Sequence, residues 1–246
     1  MLLASNFITI NDIKLHYLQG QGQGRPILII PGWFGTAEMY RHVGEVLSQR
    51  YQTIIVDPPG FGRTAKVPLH WRFNDYQKTF AEFIKSKNLD NLILIGHSLG
   101  GAIAAAIYQD NPSITKLILA DCLGIKTPNL FRNWAQNTLI KTAHKEVWIY
   151  LPEFLRNIFF PYLGSLKRSV RIIFNLDLTE QLKKITKEVI LFWGENDKLL
   201  PISYGRATAA LIKNSKFIMV EGANHSWPAT SPERFINYIH YYVKDN

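Results

Sequence analysis

The sequence predicts an α/β protein: a mostly parallel eight-stranded sheet with helices on both faces and an inserted helical cap. Three observations predict it. Short unbroken apolar runs such as Ile27–Ile30 and Leu92–Ile95 have the length of strands buried on both faces. Such runs alternate with helix-length segments, which calls for crossover connections and parallel pairing. From Leu123 to Lys187 the alternation gives way to an aromatic and basic stretch, broken at Pro128, Pro152, Pro161 and Gly164.

The elements follow in order. Phe7–Ile10 and Lys14–Leu18 flank Asn11-Asp12, a hairpin signal. Gly20-Gln21-Gly22-Gln23-Gly24 is a flexible turn, because its spacing is not that of a dinucleotide loop and no helix opens behind it. Pro26–Ile30 is a buried strand running into Pro31-Gly32-Trp33-Phe34-Gly35, after which Thr36 is expected to cap a helix through Leu47. Thr53–Val56 is the next strand, closed by Asp57-Pro58-Pro59-Gly60-Phe61-Gly62-Arg63-Thr64. A helix near Asn74–Lys87 leads to Leu92–Ile95, and Ala102–Tyr108 reads as a helix with small residues on its inner face. Leu117–Ala120, Val189–Trp193 and Lys216–Val220 complete the strands, and a helix from about Pro232 to Val243 follows. Residues 1–122 and 188–246 are thus expected to form the core domain and residues 123–187 the cap.

Composition narrows the function. A chain of 246 residues, 47% hydrophobic and 19% charged, buries one substantial core and is not disordered. No apolar run reaches the length of a membrane span, and Met1–Asn6 lacks the basic and apolar regions of a signal peptide. Cys122, the only cysteine, has no internal disulfide partner and reads as a small buried hydrophobe. These features lead us to expect a cytoplasmic protein, monomeric or homodimeric. The formal charge of +9 is spread without a block dense enough to grip nucleic acid. With no H-E-x-x-H motif or Cys/His cluster, neither a metal nor another cofactor is expected.

The chemistry centres on Gly96-His97-Ser98-Leu99-Gly100-Gly101, between a buried strand and a helix. A serine flanked this way sits on a turn so sharp that its backbone is strained, and the glycines two before and two after are expected to approach each other. Its hydroxyl then lies at a helix N-terminus, where free N–H groups favour a developing negative charge. A serine also needs a base and a carboxylate that orients the base. Two later strand ends deliver these: Val189–Trp193 runs into Gly194-Glu195-Asn196-Asp197, and Lys216–Val220 into Glu221-Gly222-Ala223-Asn224-His225. The expected site is Ser98, His225 as base and Asp197 as acid, with Asp121 and Glu195 as alternative acids. His97 is expected to support the turn. His16, His42, His70, His144 and His240 carry little weight. For the oxyanion, the expected donors are the backbone N–H groups of Leu99 and Trp33, with Phe34 as the alternative to Trp33.

These motifs together resemble the capped, single-domain α/β-hydrolases, a group that includes carboxylesterases, lactonases, meta-cleavage C–C hydrolases and epoxide hydrolases. The resemblance spans essentially the whole chain. It rests on Pro31–Gly35, Asp57–Gly62, Gly96–Gly101, Trp193–Asp197 and His225. It implies a cofactor-free serine hydrolase acting on a small-molecule ester, with short to medium acyl groups expected from the aromatic cap. C–C hydrolysis, lactone opening, acyl transfer or a ligand-receptor role are the alternatives on the same fold. Where many members have His, this chain has Pro31, which removes a side chain that often braces the oxyanion loop. Ser98 stands where members that cleave carbon–halogen bonds or epoxides carry Asp. Phe34, Trp134, Trp148 and Phe159 are expected in the substrate pocket.

Overall fold

The computed structural model describes residues 2–126 and 163–243, with the backbone alone for 163–167. The chain opens with a hairpin of β1 (Ala4–Ile10) and β2 (Ile13–Gln19), paired antiparallel with Ile10 opposite Ile13. Asn11 and Asp12 take φ of 47° and 62°, the left-handed pair that a two-residue hairpin turn requires. The other strands are β3 (Gly24–Ile30), β4 (Tyr51–Val56), β5 (Leu92–His97), β6 (Ile114–Ala120), β7 (Val189–Gly194) and β8 (Ser215–Val220). They form one eight-stranded sheet in the order β1-β2-β4-β3-β5-β6-β7-β8. β2 meets β4 antiparallel, and every later neighbouring pair is parallel.

Strand periodicity divides the core into two layers. Leu28, Leu94, Leu117, Leu119 and Leu191 face one side of the sheet; Ile27, Ile29, Ile93, Ile95, Ile118 and Phe192 face the other. Helices cover both faces of the middle of the sheet, so central strands such as β5 and β7 have no solvent side and read as continuous apolar runs, whereas β1 and β8 at the edges keep exposed positions. On the first face lie α2 (Phe73–Ser86) and α3 (Leu99–Tyr108). α2 presents Tyr76, Phe80, Phe83 and Ile84 along one stripe; burying each phenylalanine contributes about 2–3 kcal/mol. α3 carries Ala102, Ala104 and Ala105, small enough for the helix to lie close to the sheet. The second face holds α1 (Arg41–Leu47).

The described part of the expected cap segment contains α4 (Leu163–Asn175) and α5 (Thr179–Lys184). Leu178, Leu182 and Ile185 are buried in the same apolar cluster as β5 and β6. Trp134, Trp148 and Phe159 lie outside the described residues. Between β7 and β8 runs α6 (Ile202–Leu211), a helix the sequence reading did not include. Gly205 obscures it, since glycine weakens a helix interior. It is needed there because a Cβ would lie 2.4 Å from the ring of Trp193. After β8 come α7 (Trp227–Thr230) and α8 (Pro232–Val243), the latter burying Phe235, Ile236, Ile239 and Val243 on the second face.

The start of α1 corrects one expectation. Thr36 is extended and makes no side-chain cap; a 3₁₀ turn over Ala37–Tyr40 precedes the helix. The Ala37 N–H donates instead to Asp57 Oδ1 at 2.5 Å. The first amide of the turn is thus met by a buried carboxylate from the end of β4, and the Met39 N–H, which a capping hydroxyl could have taken, donates to the Thr36 backbone carbonyl at 3.2 Å.

Candidate active site

Ser98 joins β5 to α3 with φ 52° and ψ −118°, a conformation costing on the order of 1–3 kcal/mol that the surroundings must enforce. Its N–H donates to the Ala120 carbonyl at 3.0 Å, and its own carbonyl accepts from Ala102 and Leu123 at 3.2 and 3.1 Å. The loop after β3 closes over it. A Cβ on Gly32 would stand 2.8 Å from Ser98 Cβ, and one on Gly100 would stand 2.1 Å from the Ile30 oxygen. The Gly100 requirement therefore comes chiefly from the end of β3 rather than from Gly96 across the turn.

The sequence-predicted partners converge on this serine. His225 Nδ1 donates to Asp197 Oδ2 at 2.7 Å, which leaves Nε2 as acceptor for the Ser98 hydroxyl at 3.1 Å. Asp197 is buried and pinned: its Oδ1 accepts from the Leu199 and Leu200 N–H groups, each at 2.8 Å. Trp193 Nε1 donates to the Leu200 carbonyl at 2.8 Å and so ties that loop to β7. The two loops also hold each other. Asn196 N–H donates to the Ala223 carbonyl at 2.8 Å, and Glu195 accepts from Gly222 N–H at 2.8 Å. Glu195 is exposed and turned to this loop contact, so it is not the histidine's partner.

His97 and Asp121 stand behind the relay. His97 Nδ1 accepts from the Tyr40 hydroxyl at 2.8 Å, and Nε2 donates to the backbone carbonyl of His225 at 2.9 Å. Burial first, then the neighbouring His225, pushes its pKa down to about 3, so it stays neutral. His97 thus holds the backbone of the base. Asp121, at the end of β6, is fully buried and accepts from Gly194 N–H at 2.7 Å and Trp227 Nε1 at 2.6 Å. Burial, and then the charge of Asp197, raises its pKa well above the usual carboxylate range. It is Asp197, not Asp121, that bonds the imidazole.

Leu99 opens α3, with its N–H in the first turn. Gly35 N–H donates to the Gly32 carbonyl at 2.9 Å, closing a turn with Trp33 and Phe34 at its centre. Phe34 has φ 59°, costly for an aromatic residue, and its ring lies 4.8 Å from Trp33 and 5.5 Å from Phe61.

A second Ser–His–Asp chain lies elsewhere. Ser5 Oγ is 2.9 Å from His16 Nε2, and His16 Nδ1 is 2.7 Å from Asp57. Here Ser5 sits in the regular strand β1, and Asp57 is committed to the amides of Ala37 and Arg63. That chain fastens β1, β2 and two loops together. His42 pairs with exposed Glu233, His70 is exposed, and His144 lies outside the described residues.

A parallel sheet of this order, carrying a serine on the strand–helix turn after β5, defines the α/β-hydrolase class. The chain belongs to the alpha/beta hydrolase family, whose model matches residues 27–237. It is 24% identical, over 93% of its length and 99% of the relative's, to a pimeloyl-[acyl-carrier protein] methyl ester esterase of Legionella pneumophila. In fold it is similar to a serine hydrolase involved in carbazole degradation, with a TM-score of 0.82, 21% identity and 98% of each chain covered. An esterase from Exiguobacterium antarcticum gives a TM-score of 0.80 at 21% identity, covering 98% of this chain and all of that one. Among the described residues no helix is long and apolar enough to cross a membrane.

Proposed function

We propose that the protein hydrolyses carboxylic esters of small molecules, with short to medium acyl groups, through Ser98, His225 and Asp197. The observation that carries this reading is the unbroken relay from Ser98 Oγ to His225 at 3.1 Å and on to Asp197 at 2.7 Å. His225 Nε2 takes the hydroxyl proton as Oγ attacks the ester carbonyl, and Asp197 stabilises the imidazolium that forms. The N–H groups of Leu99 and Trp33 receive the oxyanion; each such donor is worth about 10²–10³ in rate. His225 then gives its proton to the leaving alkoxide, leaving an acyl group on Ser98. Water, deprotonated by the same imidazole, releases the acid. Phe34, beside the serine loop, contributes to the acyl site. The methyl ester named for the Legionella relative is in keeping with this chemistry.

The test is turnover of p-nitrophenyl esters from acetyl to longer acyl chains, comparing wild type with Ser98→Ala. Activity should fall by about 10⁴-fold or more in the variant, with its unfolding midpoint unchanged. Wild-type turnover that survives the substitution would remove the serine from the mechanism. An inert wild type would shift the reading to C–C, lactone or acyl-transfer chemistry, or to a receptor, and labelling of Ser98 by a fluorophosphonate would then separate an activated serine from an idle one.

A further inference from the structure

Behind the relay lies a buried carboxyl that the reaction above does not use. Ligand-type atoms of Asp121, Asp197 and His225 all lie within 4.8 Å of one another, and both carboxyl groups are buried. No cation is hydrogen-bonded to Asp121. Its oxygens accept from one backbone amide and one indole N–H, and the titratable groups facing it are Asp197, His225, Tyr40 and Cys122, the imidazole of His225 being bonded to Asp197 rather than to Asp121. Tyr40 and Cys122 are both buried, which holds each neutral, and a charge on Asp121 would work further against ionising either. Asp197 accounts for its own charge differently, through two amides and the imidazole of His225. Two adjacent buried carboxylates disfavour each other's charge; Asp197 accepts three N–H bonds and Asp121 only two, so the proton stays on Asp121.

We propose that Asp121 is a positioning residue that holds a proton at neutral pH and donates it as a hydrogen bond to Asp197. The pair then carries a single negative charge, shared between two carboxyls and facing His225. That arrangement fixes the rotamer of Asp197 from the side opposite the imidazole. It also keeps a second full charge from raising the basicity of His225. The proposal rests on the functional reading above for its kinetic consequence, while the protonation state itself is independent of that reading.

The experiment has two arms. In wild-type protein labelled with ¹³C at the aspartate carboxyls, carbon-detected NMR is followed from about pH 5 to about pH 9, well above the ordinary carboxylate titration. Asp121, assigned by its loss in Asp121→Asn, should show a protonated-carboxyl shift at neutral pH; a carboxylate shift for it throughout would overturn the proposal. In the second arm, the pH profile of ester kcat/KM is compared between wild type and Asp121→Asn. The amide can donate to Asp197 but cannot also accept from Trp227 at the same atom, so kcat should fall on the order of tenfold with KM unchanged. The acid limb should stay within about 0.3 unit of wild type, because a neutral group replaces a neutral group. A limb displaced downward by about one unit or more would mean that a negative charge had been removed, and would refute it. Should the protein turn over no ester, the proposed function fails and the NMR arm still decides this inference.

Discussion

His97 illustrates how one side chain can serve several ends at once. Its neighbour Ser98 is the centre of the site, yet both imidazole nitrogens of His97 are spent on Tyr40 and on the His225 carbonyl. That role requires a neutral ring with Nε2 protonated, and burial holds its pKa at about 3 against an ordinary 6.5. Between those values the unfolded chain binds a proton that the folded chain refuses. The resulting stability is complete above the ordinary pKa and is lost as pH falls toward the depressed one, with a slope approaching about 1.4 kcal/mol per pH unit. Urea unfolding of wild type at stepped pH below about 6.5 should show this slope, and His97→Gln should be shallower by close to one proton. Parallel curves for the two proteins would mean that the ring is not held neutral.

Among the elements, the approach to α1 and the end of β4 are tied through a single residue. Asp57 accepts from Ala37 N–H, Arg63 N–H and His16, so one buried carboxylate starts a helix, shapes a loop and anchors β2. Asp57→Ala would leave the Ala37 N–H and His16 buried without this acceptor and release the Arg63 N–H at the edge. We expect a loss of about 3–5 kcal/mol of folding free energy in urea titration, with the fold retained if that reserve exists. Asp57→Asn, which keeps one acceptor oxygen, should cost less; an equal cost would assign the effect to charge rather than to acceptor count. The expected cap at Thr36 shows the same principle from the sequence side. A Thr ahead of a helix is a sound local signal, but Thr36 makes no side-chain bond, and the first amide of the turn is met by a carboxylate 20 residues away.

For the whole molecule, the two-faced sheet sets the site at the carboxyl ends of β5, β7 and β8, and the chain carries a net charge of +9. A field of that sign draws anions toward the protein over distances comparable to the screening length. If the proposed esterase activity holds, kcat/KM for an anionic ester should fall several-fold as salt rises from about 0.02 M to about 0.5 M, while a neutral ester of the same acyl length changes little. Equal salt responses would assign the excess charge to solubility.

The central strands were legible because they are buried on both faces, which forces an apolar run that needs no partner to be recognised. Ser98, Asp197 and His225 were legible for a related reason: sharp turns at the ends of such strands leave local glycine and polar signatures, and their chain order matches one topology. Contacts made through space leave no comparable mark. Nothing adjacent in sequence reveals that Asp121 lies against Asp197, that His97 holds the His225 carbonyl, or that Trp193 demands a glycine inside α6. The sequence by itself determined the sheet, the turn at Ser98 and a short set of candidate partners for that serine, since these follow from periodicity and backbone sterics. Only the tertiary structure decided which carboxylate meets the imidazole and which buried groups must stay neutral, because desolvation and like-charge proximity exist only once distant strand ends are packed together.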